Sequence, residues 1–139
     1  MGAKPMRKIE REMVGAVAEC FGNASLSGQV WRSANTTVRQ EHDGIAHRPG
    51  YCRRVVVTLH ETDVASFEIG IDRLTLQTGG WHSRTTASRI NALLATFARD
   101  WSVCSRRGQL YIIRDTWTPG GRLFLSEGFE LTYQPVALL

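Results

Sequence analysis

Apolar residues Ile9, Met13, Ala16, Val17 and Cys20 recur at helical spacing, which predicts a first helix over Pro5 to Phe21. Pro5 suits a first-turn position, Gly22-Asn23 supplies the stop, and Lys8, Arg11, Glu12 and Glu19 form a polar side of mixed sign. Ala24 to Gly50 loses this regularity. It is rich in Ser, Asn, Gly and His, with one short strand expected at Thr36 to Gln40 and a flexible loop at about Glu41 to Gly50. From Tyr51 the period becomes two. Arg53 to His60 reads as a strand with Val55, Val57 and Leu59 on one face, Glu61-Thr62-Asp63 as a reversal, and Val64 to Ile69 and Arg73 to Gln77 as further strands.

A second helix is predicted over Thr85 to Asp100, capped by Ser83 or Thr85. Ala87, Ile90, Leu93, Leu94 and Phe97 form its apolar stripe, and Arg89, Thr96 and Arg99 its opposite surface. Trp101 to Ser105 and Gln109 to Arg114 then flank Arg106-Arg107-Gly108 as a hairpin. Pro119-Gly120-Gly121 turns the chain again before Leu123 to Leu125 and Phe129 to Tyr133. Strands grouped together rather than alternating with helices indicate an α+β fold: an N-terminal helix, an antiparallel β-meander, an amphipathic helix and C-terminal β-hairpins. No linker or repeat divides the chain, so residues 1–139 read as a single domain.

Composition narrows the picture a little. With 42% apolar and 22% charged residues the chain has the balance of a soluble globular protein. No apolar run reaches the ~18 residues of a membrane span, and the N-terminus lacks the apolar segment of a secretory signal, so a cytosolic setting and no membrane partner are expected. Cys20, Cys52 and Cys104 show no paired spacing, which argues against a disulfide framework or a zinc site. The net charge is +4, and 15 of the 17 basic residues are arginine. Arginine's planar fork suits phosphate and carboxylate recognition, although a GC-rich genome produces the same bias.

Catalytic signatures are lacking: there is no nucleophile elbow, metalloprotease helix, P-loop or dinucleotide-binding glycine pattern. His42, Asp43 and His47, and His60 with Asp63, are the only sets that resemble metal ligands. The first read as solvated loop residues and the second as flanks of the reversal. No catalytic residue, metal or cofactor is assigned. Enzyme activity is left open, with the balance against it.

The most informative stretch is Thr78 to Asn91. Gly79 and Gly80 permit close backbone approach, Trp81 offers a flat aromatic face, and Thr85 and Thr86 open a helix whose free N–H groups favour an anion; Arg89 and Asn91 follow in its first turns. Trp81, Thr85, Thr86, Arg89 and Asn91 are therefore candidate binding residues, with Arg106 and Arg107 at the hairpin tip as a basic rim. The same residues also have a purely structural reading, in which Thr85 caps the helix, Trp81 packs on the meander and Arg89 pairs with a carboxylate. Trp31, Trp101 and Trp117 read chiefly as core.

Asn35-Thr36-Thr37-Val38, Val57-Thr58-Leu59-His60, Gly80-Trp81 with Thr85-Thr86-x-x-Arg89-Ile90-Asn91, and Arg107-Gly108-x-x-Tyr111 together resemble a group of small, mostly uncharacterised proteins of tailed bacteriophages. Ile9 to Met13 resembles their opening helix. The similarity runs over roughly Met6 to Ile113 and is most specific at the spaced Gly-Trp, Thr-Thr and Arg-Ile-Asn core; Glu61, where the group carries glycine, and the Glu41–Gly50 loop depart from it. The resemblance implies a phage protein of the host cytoplasm that binds and disables a host target, as a host-takeover or anti-defence factor. A host protein or a nucleotide is the expected partner, and homo-oligomerisation is left open. The alternative is a nucleic-acid-binding accessory protein; a third reading, a small hydrolase or transferase, requires a buried polar pocket around His60.

Overall fold

A computed structural model describes residues 6–135. Pro5, expected in the first helical turn, lies outside them. Helix α1 spans Lys8–Gly22, with the Glu10 carboxylate accepting the Arg7 N–H at 3.2 Å across the opening turn. Its buried stripe is Glu10, Met13, Val14, Ala16, Val17, Ala18 and Cys20. Asn23 closes it, its side-chain oxygen accepting the Ser25 N–H at 3.1 Å.

Two strands follow where the sequence predicts one. Strand β1 is Gly28–Ser33 and β2 is Thr36–Asp43. The alternation of buried Thr36, Val38 and Gln40 with half-buried Thr37, Arg39 and Glu41 carries β2 past Gln40, so Glu41, His42 and Asp43 belong to a strand rather than to the loop. Cross-strand pairs hold that extension, with Arg54 reaching Asp43 at 2.5 Å and Glu41 at 3.4 Å. β3 (Cys52–Leu59), β4 (Thr62–Ile69) and β5 (Arg73–Leu76) complete the meander. The reversal between β3 and β4 is His60-Glu61, both left-handed at φ +48° and +68°, while Thr62 and Asp63 already pair with Leu59 and Thr58. Asp63 bonds not its own backbone but the Arg39 guanidinium, at 2.9 and 3.0 Å.

Helix α2 (Arg84–Phe97) crosses to a second layer, β6 (Trp101–Arg106) and β7 (Gln109–Arg114). The last two strands then part company. β8 (Leu123–Phe124) joins β7, whereas β9 (Phe129–Thr132) returns to pair with β5. The outcome is an antiparallel six-stranded sheet, β1-β2-β3-β4-β5-β9, and a three-stranded sheet, β6-β7-β8, in an α+β fold.

One apolar core joins both layers. Val38, Val55, Val57, Phe67, Leu74 and Leu76 of the large sheet meet Met13 and Val17 of α1, Ile90, Leu93, Leu94 and Phe97 of α2, and Val103, Leu110 and Ile112 of the small sheet. Phe21, Phe67, Phe97 and Tyr133 form an edge-to-face and stacked set with centroids 4.9–5.5 Å apart. In β4 the ladder skips Val64, and this bulge lets Val64 and Ala65 both turn inward. The other face of the large sheet is polar, laced by the Arg39–Glu41, Arg39–Asp63, Arg54–Asp43 and Arg73–Glu68 pairs, as expected of an antiparallel sheet with one solvated side.

Candidate functional site

Between β5 and α2 the chain makes the glycine-bearing corner on which the sequence analysis centres. Ser83 is the cap of α2: its Oγ accepts the Thr86 N–H at 3.1 Å and lies 3.0 Å from the Thr86 hydroxyl. Thr85 sits within the first turn instead, half-buried and facing a cavity of about 390 Å³. Leu59, His60, Val64, Thr78, Trp81, Ser83 and Thr86 complete the lining. Trp81 does not pack on the meander; it is 66% exposed.

Two backbone N–H groups ahead of α2, those of Thr78 and Gly79, are not free for a ligand, because the protein's own Glu127 fills them. Its carboxylate accepts Thr78 N–H at 2.9 Å, Gly79 N–H at 3.0 Å and the Thr78 hydroxyl at 2.5 Å. Burial alone would raise the Glu127 carboxyl, but these donors outweigh it and hold it below the usual carboxylate range. Gly79 is needed here. It is left-handed at φ +63°, and a Cβ on it would lie 2.7 Å from Thr62 Cγ2. The chain therefore ties its β8–β9 connection to the corner with an internal anion.

Two of the anticipated binding residues serve the interior. Arg89, expected on the polar surface of α2, is 5% exposed. Its Nη1 donates to Glu10 Oε2 of α1 at 2.9 Å and its Nε to Thr36 Oγ1 of β2 at 3.2 Å, while Ser88 also bonds that carboxylate. One side of α2 packs on α1 and the large sheet and another on β6, so Arg89 lies on an inter-element seam, whereas Arg99, expected on the same surface, is exposed. Asn91 clamps β6, accepting the Val103 N–H at 2.7 Å and donating to the Val103 carbonyl at 2.8 Å.

What remains at the surface is aromatic and cationic. His82 Nδ1 accepts the Leu110 N–H at 2.8 Å, which leaves its hydrogen on Nε2, and its ring stacks on Phe124 at 5.5 Å. This bond fastens the hairpin whose tip carries Arg106 and Arg107 to the residue next to Trp81. Arg107, left-handed at φ +51°, makes the tight turn with Gly108. Leu123 and Phe124 are 53% and 50% exposed, and Arg122 lies over the Tyr111 ring at 5.3 Å. Among the described residues Arg84, Arg106, Arg107 and Arg122 form no ion pair. His82 thus links the residue beside Trp81 to the hairpin that carries the two tip arginines and to Phe124, which the sequence analysis did not single out.

His60, required to sit in a buried polar pocket by the hydrolase reading, is exposed, with Asn35 Nδ2 3.1 Å from its Nε2. No three His, Cys, Asp or Glu side chains among the described residues converge as metal ligands. The three cysteines are free thiols; burial, with Glu19 adding to it, pushes Cys20 up to about 11. His42 was the least expected: it lies on β2 with its ring bonded to Tyr51. Continuation of the two-residue period through Thr36, Val38 and Gln40 is the signal that places it there.

Fold and surface together define a small α+β protein, with two helices and two sheets among its described residues, that exposes Trp81 at the opening of its second helix. The chain belongs to the Kyanoviridae Gp96 protein family, a family of tailed-phage proteins whose model matches residues 6–130, from before α1 into β9. No curated protein and no solved structure matches it. None of its described helices is long and apolar enough to cross a membrane.

Proposed function

We propose that this phage protein is a binding protein that acts by occupancy on a host target in the host cytoplasm, as a host-takeover or anti-defence factor. The contact surface is Trp81 with Phe124, bordered by Arg84, Arg106, Arg107 and Arg122. The observation that carries the reading is the indole, which stays open to solvent although the corner beneath it is held by Glu127 and His82. A large side chain presented on a pre-ordered mount loses little entropy on binding, and Trp and Arg are the residues that dominate interface energetics. Arginines without internal carboxylate partners favour an acidic target.

Trp81→Ala is expected to leave stability within about 0.5 kcal/mol of the parent. It should weaken capture of the host partner by roughly 30-fold or more. Chemical denaturation reads the stability, and pull-down from host lysate with native mass spectrometry the capture, together with oligomeric state. Unchanged capture and unchanged phage infection by a folded variant would remove this surface from the function. The second reading, nucleic-acid binding, draws on the same four arginines beside stackable rings. Under it, affinity for single-stranded DNA or RNA drops steeply between low and moderate salt, whereas salt-insensitive or absent binding eliminates it.

A further inference from the structure

At the opposite end of the β2–β3 hairpin from Trp81, the loop after β2 and the segment after α1 line an open cleft of about 690 Å³. Ser25, His42, His47, Arg48, Tyr51 and Arg53 contribute to its wall, and no Asp or Glu does. Arg53 is half-buried, and its Nη1 is held by neutral acceptors alone, Gln40 Oε1 at 3.0 Å and the Cys20 carbonyl at 3.1 Å. No carboxylate of the described residues lies within ion-pair distance of it, and Asp43, the acidic group at this end of β2, is taken by Arg54 at 2.5 Å. A partly desolvated guanidinium without a counter-ion is costly, and a cleft beside it is where one would be supplied. Arg48, from the loop, adds a second cation whose side chain makes no hydrogen bond among the described residues.

The aromatic wall adds a polar handle of the other sense. His42 Nε2 lies 3.2 Å from the Leu26 carbonyl, which can only accept, so that nitrogen carries the hydrogen; Nδ1 then accepts from the Tyr51 hydroxyl at 2.6 Å. Having given its hydrogen to His42, Tyr51 Oη presents lone pairs to the cleft. The site therefore offers cationic donors at Arg48 and Arg53, an aromatic face and an acceptor at Tyr51. We infer that it binds the phosphate group of a small phosphate monoester whose remainder supplies a hydroxyl or amine donor and a flat face, the chemistry of a nucleoside monophosphate. The volume falls within the range of about 300–1,000 Å³ found for small-molecule sites.

The test uses the full chain, titrated by calorimetry and by two-dimensional NMR with adenosine 5′-monophosphate and, separately, with inorganic phosphate. Micromolar to sub-millimolar binding of the nucleotide is expected, with shifts confined to the residues around His42, Arg48, Tyr51 and Arg53. Arg48→Ala should weaken it by about tenfold or more. Tyr51→Phe, which keeps the ring and removes the acceptor, should weaken the nucleotide more than inorganic phosphate. Equal affinity for both probes would assign the site to free phosphate and overturn the nucleoside part. No localised shift at about 10 mM of either probe, or full affinity in a folded Arg48→Ala protein, would overturn the site itself.

Discussion

Arg89 is the residue whose place differs most from the pattern that carries it. Helical spacing assigns it to the side opposite the apolar stripe, yet it ends 5% exposed, gripped by Glu10 and Thr36. Helical periodicity tells which residues share a face, not how many faces are covered, and α2 is covered on two. Its partner Glu10 on α1 is likewise buried. Such a pair contributes little net stability when intact but is severe to break, because removal of one member strands the other charge away from water. Arg89→Ala should therefore cost about 3–5 kcal/mol in chemical denaturation, and Glu10→Leu with Arg89→Met should recover most of it. A cost below about 1 kcal/mol for the single change would mean that solvent reaches the site. Trp81, eight positions earlier, is its converse, a large apolar side chain that the fold leaves outside.

Elements were legible where periodicity was long. Both helices, the three meander strands and the β6–β7 hairpin follow from their apolar spacing and turn residues, with bounds displaced by a few positions. β1 was not, because Gly28–Ser33 buries no residue fully and so shows no inside–outside rhythm. Nor was the division of the last two strands between sheets, since strand order depends on long-range pairing that no local signal encodes. Asn91 is the joint between layers, with both of its amide functions spent on Val103. Asn91→Leu should leave two backbone groups of β6 unpaired and cost roughly 2–4 kcal/mol. Hydrogen exchange should then show the β6–β8 amides opening ahead of those in β2–β4; uniform protection across both sheets would contradict the joint.

The pH dependence of the whole molecule is set on the acid side by its restrained carboxylates. Asp63 is lowered chiefly by its hydrogen bonds to Arg39, and Glu127 by the donors of Thr78 and Gly79 against the opposing effect of burial. Groups lowered on folding bind more protons unfolded than folded, so their contribution is present above the ordinary carboxylate range. It is lost as pH falls through the lowered folded values. The melting temperature should thus decline from about pH 5 toward pH 2, and Asp63→Asn with Glu127→Gln should flatten that decline while lowering the plateau above it. An unaltered acid slope in the double variant would place the titrating groups elsewhere. By itself the chain determined its α+β class, its two amphipathic helices, the meander and its membership of a tailed-phage protein family, since these follow from short-range periodicity and from residue identities along the chain. Only the tertiary structure decided that Arg89 and Asn91 are internal joints, that Glu127 fills the Thr78 and Gly79 N–H groups, and that His82 fastens the arginine hairpin beside an exposed Trp81. Those outcomes depend on partners 10 to 80 residues away, whose approach is set by packing of the whole core.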